Sequence, residues 1–320
     1  MNEPGGRGFR RLLTMRKRVF APIIMLLFLT VPARTEAQSA APASDPAVAP
    51  EPAKLLDRVI TNQKKDEAAS EVYERIERLE TRKNSNDPAP LSVKIARVIP
   101  SGTGMDKIPV NADGQPPDAA AYRERLESLE HALTLIVTNN RSQRDAMDKY
   151  AKRKKERNEL IEATRNAFVF TLVAREWRGD HLLAKYEMTP NPAFKPTSRF
   201  TAIFPKVHGY LWVDEDAAEL ARIEGDVTGD ISIGLFLGKI YKGSHFMQQR
   251  YEVLPGLWQA SFTQYDFDGR KLFSGFSLHE RTFYSNYRYI GPPKQALEVI
   301  RKELGRADMD RPAAATGAGP

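Results

Sequence analysis

Five histidines are the side chains in this sequence best suited to act as bases or metal ligands at neutral pH. They are His131, His181, His208, His245 and His279. None has a second histidine at metal-ligand spacing, and the chain has no cysteine. The sequence therefore predicts no metal site and no cofactor.

Two serines lie close to histidines, in Ser244-His245 and Ser277-Leu278-His279. Each could form a nucleophile–base pair if the fold brought an acid near, but no Gly-x-Ser-x-Gly elbow accompanies them. The segment Asp266-Phe267-Asp268-Gly269 resembles the start of a calcium loop, yet the required glutamate does not follow. Asp268-Gly269 is instead typical of a hairpin turn. We expect a non-catalytic protein.

A dense basic run is a further candidate for function. It consists of Lys152, Arg153, Lys154 and Lys155. Such a run is usually the solvated face of a helix, and the alternative is transient contact with anionic lipid or an acidic partner.

Most of the net charge of the chain comes from its first residues. The chain carries +7, and residues 1–37, with seven basic and two acidic residues, contribute +5 of this, which leaves about +2. A nucleic-acid partner is therefore not expected. Residues 1–37 combine a basic start, the apolar run VFAPIIMLLFLTVPA and a small-x-small cleavage site. They predict export to the periplasm, with a signal anchor as the alternative.

Two segments have the composition of disordered chain. Residues 38–53 are an Ala/Pro linker, and residues 306–320 form a small-residue tail. Since no cysteine is present, the exported protein cannot carry the lipid of a lipoprotein.

Residues 166–290 consist of short segments in which apolar and polar residues alternate, separated by polar turns. This pattern indicates antiparallel strands, because a parallel sheet would need crossover helices that the short gaps cannot contain. The predicted fold class is α+β, with a curved antiparallel sheet.

Residues 54–165 predict a helical region with one short strand near residues 91–100. Val72, Ile76 and Leu79 have helical spacing, so helix is expected up to about residue 82. Asp118 is a plausible N-cap of the next helix, and Ser142 with Asp145 resembles a capping box. Residues 291–305 predict a terminal helix that ends at Gly305. Whether the helical region is a lid or a separate domain is left open.

The predicted sheet carries large apolar side chains on both faces of several strands. Burying one such side chain is worth about 1.5–3 kcal/mol, so something must cover them. The cover is either the chain's own helices or helices together with an apolar ligand. The residues predicted to line a hydrophobic cavity are Phe168, Phe170, Tyr186, Met188, Ile223, Ile233, Leu235, Phe236 and Phe262.

Residues 166–290 resemble the periplasmic lipoprotein-sorting and carrier superfamily (LolA/LolB-like). The resemblance is carried by five segments: Tyr186-Glu187-Met188-Thr189-Pro190, then Gly209 to Asp214, followed by Ala221-Arg222-Ile223-Glu224, then Pro255-Gly256-Leu257-Trp258, then Tyr284-Ser285-Asn286-Tyr287. It implies a half-open antiparallel barrel whose concave apolar face binds acyl chains under a helical lid. The helical region 54–165 has no counterpart in the small carriers.

These observations predict an exported cell-envelope protein that binds a lipid or the acyl chain of an acylated protein in the concave face of a half-barrel. The alternative is a structural or sensory module whose sheet is filled by its own helices and which binds an envelope protein partner on the outside.

Overall fold

The structure is a computed structural model that describes residues 52–198, 200–233, 238–272 and 274–309. The predicted signal peptide (residues 1–37), most of the predicted linker, Leu235, Phe236 and residues 310–320 of the predicted tail lie outside the described residues.

Four α-helices occur in the described part of the chain. They are α1 (Pro52–Ala69), α2 (Ala119–Val137), α3 (Arg144–Ala167) and α4 (Pro293–Met309). Asp118 caps α2 as predicted, because its Oδ1 accepts hydrogen bonds from the backbone N–H groups of Ala120 and Ala121 at 2.9 and 3.0 Å. The predicted capping box before α3 is wrong: Asn140 accepts from Ser142 N at 2.9 Å, and the Ser142 side chain does not cap the helix.

The last helix is longer than predicted. It continues through Gly305 to Met309, so the predicted stop at Gly305 and the predicted disorder of residues 306–309 are wrong. Glycine lowers helix stability by only about 1 kcal/mol. The apolar face of α4, with Leu297 and Ile300 almost fully buried, outweighs that cost.

Twelve strands form one sheet in the described residues. They are β1 (Tyr73–Arg82), β2 (Ser92–Pro100), β3 (Met105–Pro109), β4 (Phe168–Arg178), β5 (His181–Pro190), β6 (Val207–Asp214), β7 (Glu219–Val227), β8 (Ile231–Ile233), β9 (Gly238–Ile240), β10 (His245–Leu254), β11 (Leu257–Lys271) and β12 (Ser274–Tyr289). The order is β3-β2-β1-β12-β11-β10-β7-β6-β5-β4, and the β8–β9 hairpin joins β11. The α+β class and the antiparallel sheet are confirmed.

Residues 73–82, predicted as helix, form strand β1. This strand pairs with β2 on one side and with β12 on the other. Glu74, Glu77 and Glu80 are buried along it, each beside an arginine. Pairing on both sides overrides a local helical pattern. The region 54–165 therefore contributes three strands, rather than one, to the same sheet as residues 166–290.

The predicted turn at Asp268-Gly269 is also wrong, because β11 runs through it to Lys271. The chain turns at Leu272, whose φ is 53°. Gly269 pairs with Ile240 of β9, and a Cβ placed on it would lie 2.2 Å from the Lys239 carbonyl oxygen. The glycine is needed for the close approach of β9, which no local turn pattern reveals.

Helices pack on both faces of the sheet, at different ends. We call one face of the sheet the core face. It carries Tyr186, Leu211 and Ile223 on neighbouring strands, and it packs against α1, α3 and the 3-10 segment Thr201–Lys206. The reverse face carries Lys185, Trp212 and Arg222. At the β2–β3 end, α2 and α4 cover this reverse face in a second cluster around Ile99, Ile108, Leu129, Leu133 and Ile300. Leu126, Leu129 and Leu133 of α2 are thus packed against α4 and the sheet.

Candidate functional site

The predicted cavity residues of the core face lie together but are covered by the chain's own helices. Phe168, Tyr186 and Met188 are 3%, 2% and 0% exposed, in one cluster with Leu55 and Leu56 of α1. Phe170 and Ile223 are partly buried against the same cluster. The core face is therefore filled from within at these positions.

Phe262 lies elsewhere. It pairs with Gln249, which pairs with Arg222, so it is on the reverse face and is not part of the predicted cavity. Its ring is 5.0 Å from that of Phe283, centroid to centroid. Ile233 ends β8, and its side chain, like Leu235 and Phe236, lies outside the described residues.

A groove of about 930 Å³ lies beside the core, between α3 and residues 194–201. Its apolar lining is Ala151, Leu160, Ala163, Phe194 and Phe200. Its charged lining is Lys154, Lys155, Glu156, Glu159, Glu162 and Arg165, and its polar lining is Asn158, Asn166, Thr197, Ser198 and Thr201. Apolar side chains line this groove, and both signs of charge surround them.

The basic run lies on α3, and two of its members reach this groove. Lys154 lines the groove and binds Glu71 at 2.8 Å. Lys155 lines it with a side chain that is 80% exposed. Arg153 donates to the Thr103 carbonyl oxygen at 3.2 Å, and Lys152 is exposed outside the groove. The run is thus partly structural and partly available to a ligand.

Sequence reasoning missed a row of histidines and carboxylates that crosses the reverse face. The row consists of His208, Asp226, His245, Asp266 and His279 on five adjacent strands. His245 Nδ1 lies 2.5 Å from Asp226 Oδ1, and His279 Nδ1 lies 3.0 Å from Asp266 Oδ1. The register of neighbouring antiparallel strands brings these residues together. Alternation within each strand was the available signal, and it gives no register.

The row does not form the chemical sites considered from the sequence. The Ser277 hydroxyl donates to Asp268 Oδ1 at 2.5 Å, and Ser244 Oγ lies 3.3 Å from Asp268 N, so neither serine is directed to its neighbouring histidine. Within the described ranges, no group of three or more His, Asp or Glu residues is arranged to hold a metal ion.

A buried ionic cluster joins α1 to the sheet and was also missed. Asp66, Glu219 and Arg250 are 1%, 3% and 3% exposed. Arg250 Nη2 donates to Asp66 Oδ2 at 2.7 Å and to the Trp258 carbonyl oxygen at 2.6 Å. Burial, and next the charge of Asp66, raises the pKa of Glu219 to about 8, and burial also raises the pKa of Asp66. The Glu219 carboxyl thus lies beside Asp66, which itself binds Arg250, and its raised pKa means that Glu219 keeps its proton at neutral pH.

None of the helices that the structure describes is long and apolar enough to cross a membrane. Comparison of the chain with protein-family models, with curated proteins and with solved structures finds no match. The similarity to lipoprotein carriers therefore stays a prediction, and the arguments for function come from the geometry.

Proposed function

We propose that this chain is an exported, non-catalytic protein that binds the acyl chain of an amphiphile in the groove between α3 and residues 194–201. The observation that carries the proposal is the groove itself, with Leu160, Ala163, Phe194 and Phe200 inside it. Its volume of about 930 Å³ is at the upper end of the range typical of small-molecule sites, about 300–1,000 Å³.

The apolar lining provides the affinity. Each methylene group transferred from water gains about 0.8 kcal/mol, so about ten buried methylenes supply about 8 kcal/mol before the cost of ordering the chain. The ring centroids of Phe194 and Phe204 are 6.0 Å apart, and those of Phe204 and Phe168 are 5.4 Å apart. One wall of the groove is thus held by aromatic packing onto the core.

The charged residues that line the groove determine the orientation of the bound ligand. Lys154 and Lys155 lie at the N-terminal end of the groove-lining part of α3, and Arg165 lies about 16 Å further along the helix axis at 1.5 Å per residue. Lys155 is 80% exposed and its ion pair with Glu159 is long, at 3.9 Å, whereas Arg165 binds Asp57 at 2.9 Å. An anionic headgroup therefore fits best at the Lys155 end.

The ligand class is the one expected from the sequence, but the proposed binding site is the groove and not the core face. An acyl chain on the core face would have to displace α1 or α3 from Phe168, Tyr186 and Met188. The groove lies beside that core, on the outer side of the closed cluster. We also propose that the sheet is curved as a half-barrel, as the resemblance implies. The predicted signal peptide places the protein in the periplasm as part of the same proposal.

Native mass spectrometry of protein purified from the periplasm, with displacement of a fluorescent fatty acid, tests the proposal. Ala163→Trp fills the groove and is expected to weaken binding at least tenfold, whereas Lys152→Trp, on the same helix but outside the groove, leaves it unchanged. An empty wild-type protein that also ignores the fluorescent probe refutes the acyl-binding function.

The second candidate is an interaction module with a self-filled sheet, and the closed core face favours it. In that case no acyl probe binds, and photo-crosslinkers placed on the reverse face capture one envelope protein in cells. Crosslinks that require Phe283, which is 40% exposed, would support this candidate.

A further inference from the structure

We propose that two copies of this chain associate through strand β4, by antiparallel pairing of the two β4 strands across a two-fold axis. β4 is the last strand of the sheet, and it pairs only with β5. Among the described residues, residues 170–178 make no backbone hydrogen bond outside the β4–β5 pairing. The outer N–H and C=O groups of β4 are therefore available to another strand, which is the ligand that such an edge binds.

The exposed side chains of β4 are apolar to an extent that an open edge does not favour. Val169, Leu172, Val173 and Trp177 are 49%, 38%, 47% and 71% exposed, and every residue from 171 to 178 is exposed. A long edge strand with large apolar side chains in solvent is prone to pair with another chain. Pairing with a partner strand would bury these side chains.

The opposite edge of the sheet has the protection that β4 lacks. β3 has only five residues, and they include Asp106, Lys107 and Pro109. A short strand, charges and proline all hinder pairing with another chain. β4 has eleven residues and no proline, and its charged residues all lie in its C-terminal half. Of the two edges, β4 is the one suited to association.

A bulge in β4 identifies the partner as a second copy of the same strand. Leu172 pairs with Tyr186 and Ala174 pairs with Lys185, so Val173 is an extra residue that β5 does not match. A regular strand on the outer edge would again leave one residue of β4 without a partner. A second β4 carries the same extra residue at the same place, and all residues of the two strands can then be matched.

The faces of β4 define one register for this pairing. A two-fold axis perpendicular to the sheet places side chains of the same face opposite each other. On β4 the core face carries Phe170, Leu172, Arg175 and Trp177, because these residues pair with the core-face residues of β5. The axis therefore passes between Val173 of one copy and Ala174 of the other. The facing pairs are Leu172–Arg175, Thr171–Glu176, Phe170–Trp177 and Val169–Arg178, each formed twice.

These pairs are compatible in chemistry. Phe170 facing Trp177 is an aromatic cross-strand pair of the kind that stabilises sheets. None of the three charged residues faces a like charge in this register. Arg175 already binds Glu215 at 2.7 Å, so its charge is balanced within its own copy. The alkyl part of Arg178 can cover the exposed Val169 of the second copy.

Engineered cysteines test the register, because the chain has none of its own. Thr171→Cys and Glu176→Cys are about 17 Å apart within one strand, at about 3.4 Å per residue, but face each other across the dimer. A disulfide needs Cα atoms about 4.4–6.8 Å apart. We expect mild oxidation to give a covalent dimer of the double variant, which reduction releases. No such dimer, or equal crosslinking of either single variant, overturns the proposed pairing.

The association itself is measured by sedimentation over a hundredfold range of concentration. We expect a dimer of the wild-type protein, and association at least tenfold weaker in Val173→Lys, which places two like charges beside the two-fold axis. Val93→Lys is the matched control, because Val93 is 43% exposed on β2, and it should leave association unchanged. Equal urea midpoints of the two variants show that both are folded. A monomeric wild-type protein, or equal weakening in both variants, overturns the proposal. None of these readouts depends on acyl binding.

Discussion

Asp66 and Arg250 are 184 residues apart in sequence, yet Arg250 Nη2 donates a 2.7 Å hydrogen bond to Asp66 Oδ2. Both side chains are almost fully buried. The Gln259 side chain donates to the Asp66 carbonyl oxygen at 2.9 Å, so strands β10 and β11 both hold the C-terminal part of α1. This helix covers the core face, and its attachment is therefore central to the stability of the fold.

Replacing Arg250 by methionine should destabilise the protein strongly. The change leaves two buried carboxyl groups without their cation, and removing one partner of a buried ion pair costs about 3–5 kcal/mol. Urea denaturation measures the free energy of unfolding. Arg301→Met is the matched control, because Arg301 binds Glu130 at 2.7 Å but is 55% exposed, and its loss should cost under about 1 kcal/mol. Equal losses in the two variants would contradict the importance of the buried cluster.

The buried Glu219 should make stability fall as pH rises. Its pKa is raised from the usual 4.5 to about 8 in the folded protein. Between these values the folded state binds a proton that the unfolded state lacks. The free energy of unfolding therefore decreases from about pH 4.5 to pH 8, by up to about 1.4 kcal/mol per pH unit for one proton. Glu219→Gln should flatten this dependence in urea unfolding at pH 5, 7 and 9. A variant with the full wild-type slope would show that another group is responsible.

Gly269→Ala should destabilise the junction of β9 and β11. The added Cβ would lie 2.2 Å from the Lys239 carbonyl oxygen, which is backbone and cannot move away cheaply. We expect a loss of about 1–3 kcal/mol, typical of overpacking. At Gly229 a Cβ meets nothing within 4 Å, so Gly229→Ala should change stability by no more than about 0.5 kcal/mol. Thermal unfolding compares the two, and a neutral Gly269→Ala would disprove the close approach.

Met188→Ala should show whether the acyl chain binds in the groove or on the core face. Met188 is 0% exposed, and truncating such a residue costs about 2–5 kcal/mol. Because Met188 does not line the groove, the affinity for a fluorescent fatty acid should stay at the wild-type value under conditions where the variant is folded. Ala163→Trp should instead weaken binding; since Ala163 also packs against the core cluster, its affinity is likewise measured where the variant is folded. Loss of binding in Met188→Ala would place the ligand on the core face.

Several local features could be predicted from neighbouring residues alone. The Asp118 cap and the strand at residues 92–100 depend on interactions within a few positions, and both are present. The predictions for Ser142 and Asp268-Gly269 failed where two local motifs competed or where a distant strand intervened. Local preferences of this size, about 1 kcal/mol, are easily overridden by packing.

The candidate sites depended on contacts that no short segment contains. Phe168, Tyr186 and Met188 were correctly grouped, because alternation along β4 and β5 is enough to place them on one face. Phe262 was placed on the wrong face, since the face of a strand depends on its register with its neighbours. The groove likewise requires α3 to lie against residues 194–201, which is a tertiary relationship.

The amino-acid sequence by itself determined the α+β class, the antiparallel order of most strands and the apolar character of the sheet, because alternation and turn chemistry act over a few residues. The tertiary structure decided which helices close the core face, which charged residues meet on the reverse face and where β1 belongs. Those outcomes depend on contacts between separate elements, such as Asp66 with Arg250, which are 184 positions apart, and their free energy arises only when the sheet has formed.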